Sequence, residues 1–378
     1  MGIKIERITL HRVEMSLVEK LVTSFGGEAL RPCTVVQIDA EGLTGWGECP
    51  ADATPGYSYE TVNTTWVVNR DHFAPELVGQ RLESVADVRA RLGKFRGHPM
   101  ARAGLEAAVW DLFAQAAGKS LAAYLHEGRC YPTPPRANVN VGVSIGIQPG
   151  IEATFAIIDK RLAEGYRRIK LKIRPGWDVE LASAVRARYP DVALMLDANS
   201  AYTLDDAPQL AKLDPLNLLM LEQPLWHDDI WQHSKLQPQL KSPICLDESI
   251  RHARDAEFAF EVGACKIINV KPARVSGMWE AREVHDVCLA HGAPAWVGGM
   301  LETGIGRAAN LAVAALPGFT LPGDISATNR YWEHDITEHF TLNADGTIDV
   351  PNKPGLGAAI DRDRLEAVTT ARETILPE

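Results

Sequence analysis

Residues 167–174 read RRIKLKIR, and the placement of this stretch decides the fold. Ile169, Leu171 and Ile173 alternate with Arg168, Lys170, Lys172 and Arg174. A strand here sends apolar side chains to one face and a row of cations to the other. Four apolar runs follow, each ended by a polar residue: LMLDAN (194–199), LMLEQP (219–224), ICLDES (244–249) and KIINVKP (266–272). Counted from Lys172, the ends fall at Asp197, Glu222, Asp247 and Lys271, spaced 25, 25, 25 and 24 residues apart. Amphipathic stretches such as DVELASAVRARYP and TLDDAPQLAKLD separate the runs. Strand–helix alternation of this kind implies parallel strands with crossover helices. One unit per 25 residues suits a closed α/β barrel, in which polar groups at the C-terminal strand ends converge. An open doubly wound sheet gives the same alternation but does not so readily bring five successive strand ends to one point.

Outward from this core, the pattern changes on both sides. Residues 1–130 mix strand signals (RITLHRVEM, CTVVQIDAEGLTGWGECP) with a helix, ARAGLEAAVWDLFAQAAG, stopped at Gly118. EGLTGWGE is read as supplying turn glycines. This part is expected to be an α+β unit, with the barrel over 131–325. The segment 326–378 returns to β signals with a DG turn and is expected to pack back on the N-terminal unit.

Composition narrows the function classes. The 378 residues are 46% hydrophobic, enough for a large core. Asp and Glu (49) outnumber Lys and Arg (39), and there is no clustered basic tail. That argues against nucleic acid or an anionic membrane as partner. The charged start, MGIKIERITLHRVEM, lacks the apolar core of a signal peptide, and no apolar run approaches membrane-spanning length. Six scattered cysteines without a C-x-x-C pair fit a reduced cytoplasm, each read as a small buried apolar residue.

Three carboxylates meeting at one barrel mouth repel one another unless a cation lies between them. Oxygen ligands without Cys or His favour Mg²⁺ or Mn²⁺ over zinc. Asp197, Glu222 and Asp247 are therefore the expected metal ligands, with Asn199 and Glu248 just past them as supporting residues. Helix capping by each acid is the ordinary alternative. Lys172 and Lys271 lie on opposite sides of the three acid-bearing strands. Such a pair implies proton chemistry at the α-carbon of a metal-bound carboxylate, the cation stabilising the enediolate. A lysine base is expected to have its pKa lowered towards about 7–8, with Lys170 supplying part of the cationic field. A Schiff-base lysine, as in barrel aldolases, is a weaker reading because it needs no trio of acids.

Several loops complete the candidate site. WVGGMLETGIGRAAN (296–310) opens a helix, and its glycines allow close approach of substrate. Gly299 and Met300 are candidates to line the site, as is Ser144 on the first barrel run. Glu302 reads equally as a polar site group or a helix cap. TSFGGEALR and ADATPGYSYET read either as ordinary turns or as a lid that brings Phe25 and Tyr57 onto the substrate.

These motifs resemble the enolase superfamily, and within it the muconate-lactonising-enzyme-like group. The K-x-K strand at Lys170–Lys172, the acids on the next three strands and Lys271 on the strand after match its pattern without gaps. SPICLDESI, NVKPARVSG and GGMLETGIGRAANLAVAALPGFTLPGDISA are similar to its o-succinylbenzoate synthase/N-succinylamino acid racemase branch. The resemblance implies an α+β capping domain on a (β/α)₇β TIM-like barrel. It implies Lys172 and Lys271 as an acid/base pair assisted by Lys170, and Arg274, in KPAR, resembles a supporting or substrate residue of members that racemise N-acylamino acids. It further implies a Mg²⁺ cofactor, a small-molecule carboxylate substrate and a homo-oligomer. The implied reaction is dehydration in the menaquinone pathway, racemisation of N-acylamino acids, or both on one set of residues. A non-catalytic binding barrel is the competing class.

Overall fold

A computed structural model describes residues 2–23 and 26–377, without the side chain of Glu28. The N-terminal half is built on an antiparallel sheet of β1 (Arg7–Thr23), β2 (Gly26–Ala40) and β3 (Leu43–Cys49). Helix α1 (Pro99–Ala116) packs across it, buried on nearly every side from Met100 to Ala114. Two glycines read as turn residues prove to serve this packing instead. Only Gly42, at φ +82°, sits in the β2–β3 turn, whereas Gly45 and Gly47 lie within β3. A Cβ at Gly45 or Gly47 would come 2.2 or 2.0 Å from a carbonyl oxygen of α1. The missing side chains let the helix lie directly on the strand.

The barrel consists of seven parallel strands in sequential order: β4 (Val143–Ile145), β5 (Arg168–Lys172), β6 (Ala193–Asp197), β7 (Leu221–Glu222), β8 (Ile244–Leu246), β9 (Ile267–Val270) and β10 (Ala295–Val297). Crossover helices follow them: α2 (Ile151–Ala163), α3 (Val179–Arg188), α4 (Ala207–Leu210), α5 (Ile230–Leu236), α6 (Ala253–Glu261), α7 (Met278–Ala290) and α8 (Gly304–Ala314). Residues 321–324 close the circle. Leu321 N and Asp324 N donate to Ala295 O and Val297 O, while Gly142 N donates to Gly323 O. Closure removes the open edges a parallel sheet would otherwise expose.

Inside the barrel, period-two alternation sets two levels. Met195, Met220 and Cys245 precede Asp197, Glu222 and Asp247 by two residues, and with Ile267 and Trp296 they form a separate buried apolar cluster. The charged groups stand above it. The chain finishes with helix α9 (Arg362–Val368) and strand β11 (Thr369–Ile375), which pairs antiparallel with β1 and adds a fourth strand to the N-terminal sheet. Neither element was anticipated. Five cysteines are buried, but Cys130 is exposed, against its reading as a core residue. Among the described residues no helix is long and apolar enough to cross a membrane.

Candidate active site

The cation row of β5 faces the barrel interior. Arg168, Lys170 and Lys172 are all buried, because the strand lies between β4 and β6 with its polar face turned to the axis. Isolated ammonium groups would not survive there, and each has a partner. Lys172 Nζ lies 2.6 Å from Asp197 Oδ2 and 2.7 Å from Asn199 Oδ1. Lys170 Nζ lies 3.1 Å from Glu222 Oε2 and 3.3 Å from Asp197 Oδ2, and also pairs with Asp324.

Across the barrel, Lys271 Nζ lies 2.8 Å from Asp247 Oδ2 and 3.1 Å from the Tyr57 hydroxyl. Tyr57 reaches in from the N-terminal domain, donating to Asp247 Oδ1 at 2.9 Å. Arg274 pairs with the same oxygen and is itself held by its donations to Ile250 O and Asn269 O. Asn199 Nδ2 donates to Glu248 Oε1 at 3.1 Å.

Ten expected residues thus come together in one site as two bonded groups, Lys170, Lys172, Asp197, Glu222, Asn199 and Glu248 on one side and Lys271, Asp247, Arg274 and Tyr57 on the other, which meet through Asn269. Above it opens a cavity of about 480 Å³, within the size range of small-molecule sites. Gly299, Met300 and Ser144 line it. Glu302 does not. Its Oε1 accepts from Asn310 Nδ2, and the cap of α8 is Thr303. Phe25 lies outside the described residues.

Electrostatics follow from burial and charge together. Glu222 is pushed up to about 7 by burial and by the charges of Asp197 and Asp247. Burial and the same two charges raise Glu248 well above the carboxylate range. Burial opposes ionisation of Asp247, but Lys271 and Arg274 outweigh it and hold its carboxyl below the usual range. The lowered pKa expected of a lysine base is not met at Lys271, and Lys170, expected to supply the cationic field, is raised as well. Burial does lower Lys170 and Lys271, yet Asp324, Glu222 and Asp197 overcome it for Lys170, and Asp247 and Tyr57 overcome it for Lys271. Both rise, because each ammonium touches a carboxylate rather than only another cation.

Among the described residues no three His, Cys, Asp or Glu side chains stand together as a ready-made ligand cluster. The donors nonetheless suit a hard divalent cation. Asp197, Glu222 and Asp247 offer only oxygen, are at most 1% exposed, and raise the proton affinity of Glu222 by mutual repulsion. Glu248 Oε2, beside them, is buried without a hydrogen bond among the described residues.

Two contributors escaped the sequence reading. Asn269 donates to Glu222 Oε1 at 2.7 Å, and Asp324 pairs with both Lys170 and Arg168. Asn269 carried a signal, since it precedes Lys271 by two residues and shares its face. Asp324 carried none, because the closing segment has no strand-like run.

Comparison with known proteins agrees with this geometry. Residues 5–125 match the model of the mandelate racemase/muconate lactonizing enzyme N-terminal domain, and residues 155–364 the enolase C-terminal domain-like model. An N-succinylamino acid racemase from Amycolatopsis is 48% identical, covering 98% of each chain. An o-succinylbenzoate synthase from Geobacillus kaustophilus is 46% identical, covering 98% of this chain and 97% of its own. The crystal structure of an enolase superfamily member from Listeria innocua superposes with a TM-score of 0.93 at 37% identity, covering 99% of each chain.

Proposed function

The chain belongs to the mandelate racemase/muconate lactonizing enzyme family of the enolase superfamily, and we propose on that basis that it is a divalent-metal-dependent o-succinylbenzoate synthase that also racemises N-succinylamino acids. The observation that carries this reading is the position of two lysines at either flank of three buried acids. Lys172 engages Asp197 and Lys271 engages Asp247, the first and last of the trio.

Asp197, Glu222 and Asp247 are the residues that would hold Mg²⁺ or Mn²⁺. Bound there, the cation supplies positive charge that stabilises a substrate carboxylate as it gains electron density from α-deprotonation. In dehydration of 2-succinyl-6-hydroxy-2,4-cyclohexadiene-1-carboxylate, Lys172 Nζ takes the α-proton. The C–O bond to the ring hydroxyl then breaks, the lysine returns the proton to the departing oxygen as water, and the ring becomes aromatic. Lys271 stays an ammonium and faces the developing negative charge. In racemisation, one lysine takes the α-proton and the other delivers a proton to the opposite face. Lys170, tied to Glu222 and Asp324, contributes a fixed positive charge. Ser144 Oγ is buried in the cavity wall without a partner among the described residues and is available to the substrate.

The dedicated racemase is the second reading, since an N-succinylamino acid racemase is as similar to this chain as an o-succinylbenzoate synthase is. A homo-oligomer in the cytoplasm is part of the proposal and is read by sedimentation and by fractionation. The deciding experiment incubates the protein and Mg²⁺ with an N-succinylamino acid in D₂O and separately with the cyclohexadiene substrate. Solvent deuterium should enter the α-position, and o-succinylbenzoate should accumulate. A protein that binds either compound without exchange or turnover is a binder, and the enzymatic reading falls.

A further inference from the structure

The wall of the cavity that follows β10 is gripped from outside the barrel. Residues 298–303 run from β10 to α8 and present Gly299, Met300 and Leu301 to the cavity. Leu301 sits at φ +58°, a left-handed conformation that a branched, non-glycine side chain adopts only when its surroundings impose it. Two charged residues of the N-terminal domain flank this strained position. On one side Arg31 of β2 donates through Nη2 to Met300 O at 2.7 Å, and also to Pro50 O, while Nη1 pairs with Asp52. On the other side Glu48 of β3 accepts from Thr303 Oγ1 at 2.7 Å, from Thr303 N at 3.1 Å and from Gly306 N at 3.0 Å. Both side chains are at least 95% buried. Glu48 follows Gly47 on β3 and carries its carboxylate to the start of α8. At Gly306 a Cβ would come 2.9 Å from Glu48 Oε2, so the helix start is fitted to this carboxylate.

We propose that Arg31 and Glu48 are positioning residues that clamp the Met300–Thr303 turn from the capping domain, hold Leu301 left-handed and thereby set the substrate-facing shape of the cavity. Arg31 fixes the carbonyl before the strained residue, and Glu48 fixes the amide two residues after it. Neither touches the lysines or the three acids. The clamp makes the fit of the substrate's side groups depend on the domain interface, while the proton-transfer groups stay on the barrel. Glycine at 301 needs no such restraint, because it enters the left-handed region without steric cost.

The test is a double-mutant cycle between Glu48→Ala and Leu301→Gly. Amide hydrogen exchange of the 298–306 segment is the readout that does not depend on the reaction. Glu48→Ala should accelerate exchange there by more than about tenfold in the native background and by less than about twofold in Leu301→Gly. The kinetic arm rests on the proton-abstraction reading above. In it, Glu48→Ala should raise KM several-fold more than it lowers kcat, and Glu48→Gln, which keeps an acceptor oxygen, should recover most of the loss. If Glu48→Ala does not accumulate folded, Arg31→Lys is read in the same cycle. An equal effect of the clamp variants in both 301 backgrounds overturns the proposal, as does unchanged exchange. Loss of turnover in the parent protein with the exchange pattern intact would instead count against the reaction assignment alone.

Discussion

Lys170 is ion-paired to Asp324, a residue of the short segment that closes the barrel between β10 and β4. The same carboxylate holds Arg168 Nη1 at 2.6 Å, so the closing segment is locked onto β5 by two buried cations. Asp324→Asn removes the shared anion and leaves both cations short of charge. The expected loss is about 3 kcal/mol in urea unfolding, the magnitude of breaking one side of a buried pair. Unchanged stability would mean that the cations find other partners.

Lys172 and Lys271 should separate the two reactions. Lys172→Ala is expected to lower both dehydration and racemisation by about 10²–10⁴, the usual contribution of a positioned base, with metal binding retained. Lys271→Ala should abolish racemisation to a similar degree, with dehydration impaired through lost charge stabilisation. Rates for each substrate, with metal affinity measured by calorimetry, decide this. Normal turnover by Lys172→Ala would remove it as the base.

Chelation with EDTA should stop α-proton exchange, and Mg²⁺ or Mn²⁺ should restore it. Because the site gathers in the folded chain, the metal should also stabilise the fold by about 2.7 kcal/mol at a hundredfold excess over its dissociation constant. Glu222→Gln should weaken metal binding by more than about tenfold, roughly 1.4 kcal/mol. A melting temperature indifferent to metal would argue against the trio as ligands.

His233 on α5 gives an acid-side prediction. Its Nε2 accepts from Leu225 N at 3.1 Å and its Nδ1 contacts Asp229 O, so the ring is neutral with the proton on Nδ1. Protonation would turn an N–H towards the Leu225 amide, and burial lowers its pKa to about 4. A pKa lowered on folding stabilises the native state fully above 6.5, and that contribution fades as pH falls from 6.5 towards 4. The loss amounts to about 3 kcal/mol by linkage. Unfolding titrated over this range should show it, and His233→Gln should flatten the dependence.

Much of the architecture was readable because one physical rule repeats. Each buried parallel strand is an apolar or alternating run, and the polar residue at its C-terminal end marks the mouth of the barrel, which located Lys172, Asp197, Glu222, Asp247 and Lys271. What stayed hidden depends on contacts between segments far apart in the chain. Asp324 gains meaning only through closure, and Arg31 and Glu48 only once two domains meet. Glu302, which read equally as a site group or a helix cap, is neither, because its carboxylate is taken up by Asn310 on α8. Gly45 and Gly47 looked like turn signals because nothing local reveals that a helix rests on them.

The apolar cluster of Met195, Met220, Cys245, Ile267 and Trp296 forms an apolar floor under the reacting groups. It offers no hydroxyl, carboxylate or imidazole to relay a proton through the base of the barrel. With no relay through this cluster, the route left to a hydrogen removed from a bound molecule runs upward, towards the mouth. An isotope on the transferred hydrogen should therefore trade with bulk water from above, through the mouth, and not through the floor.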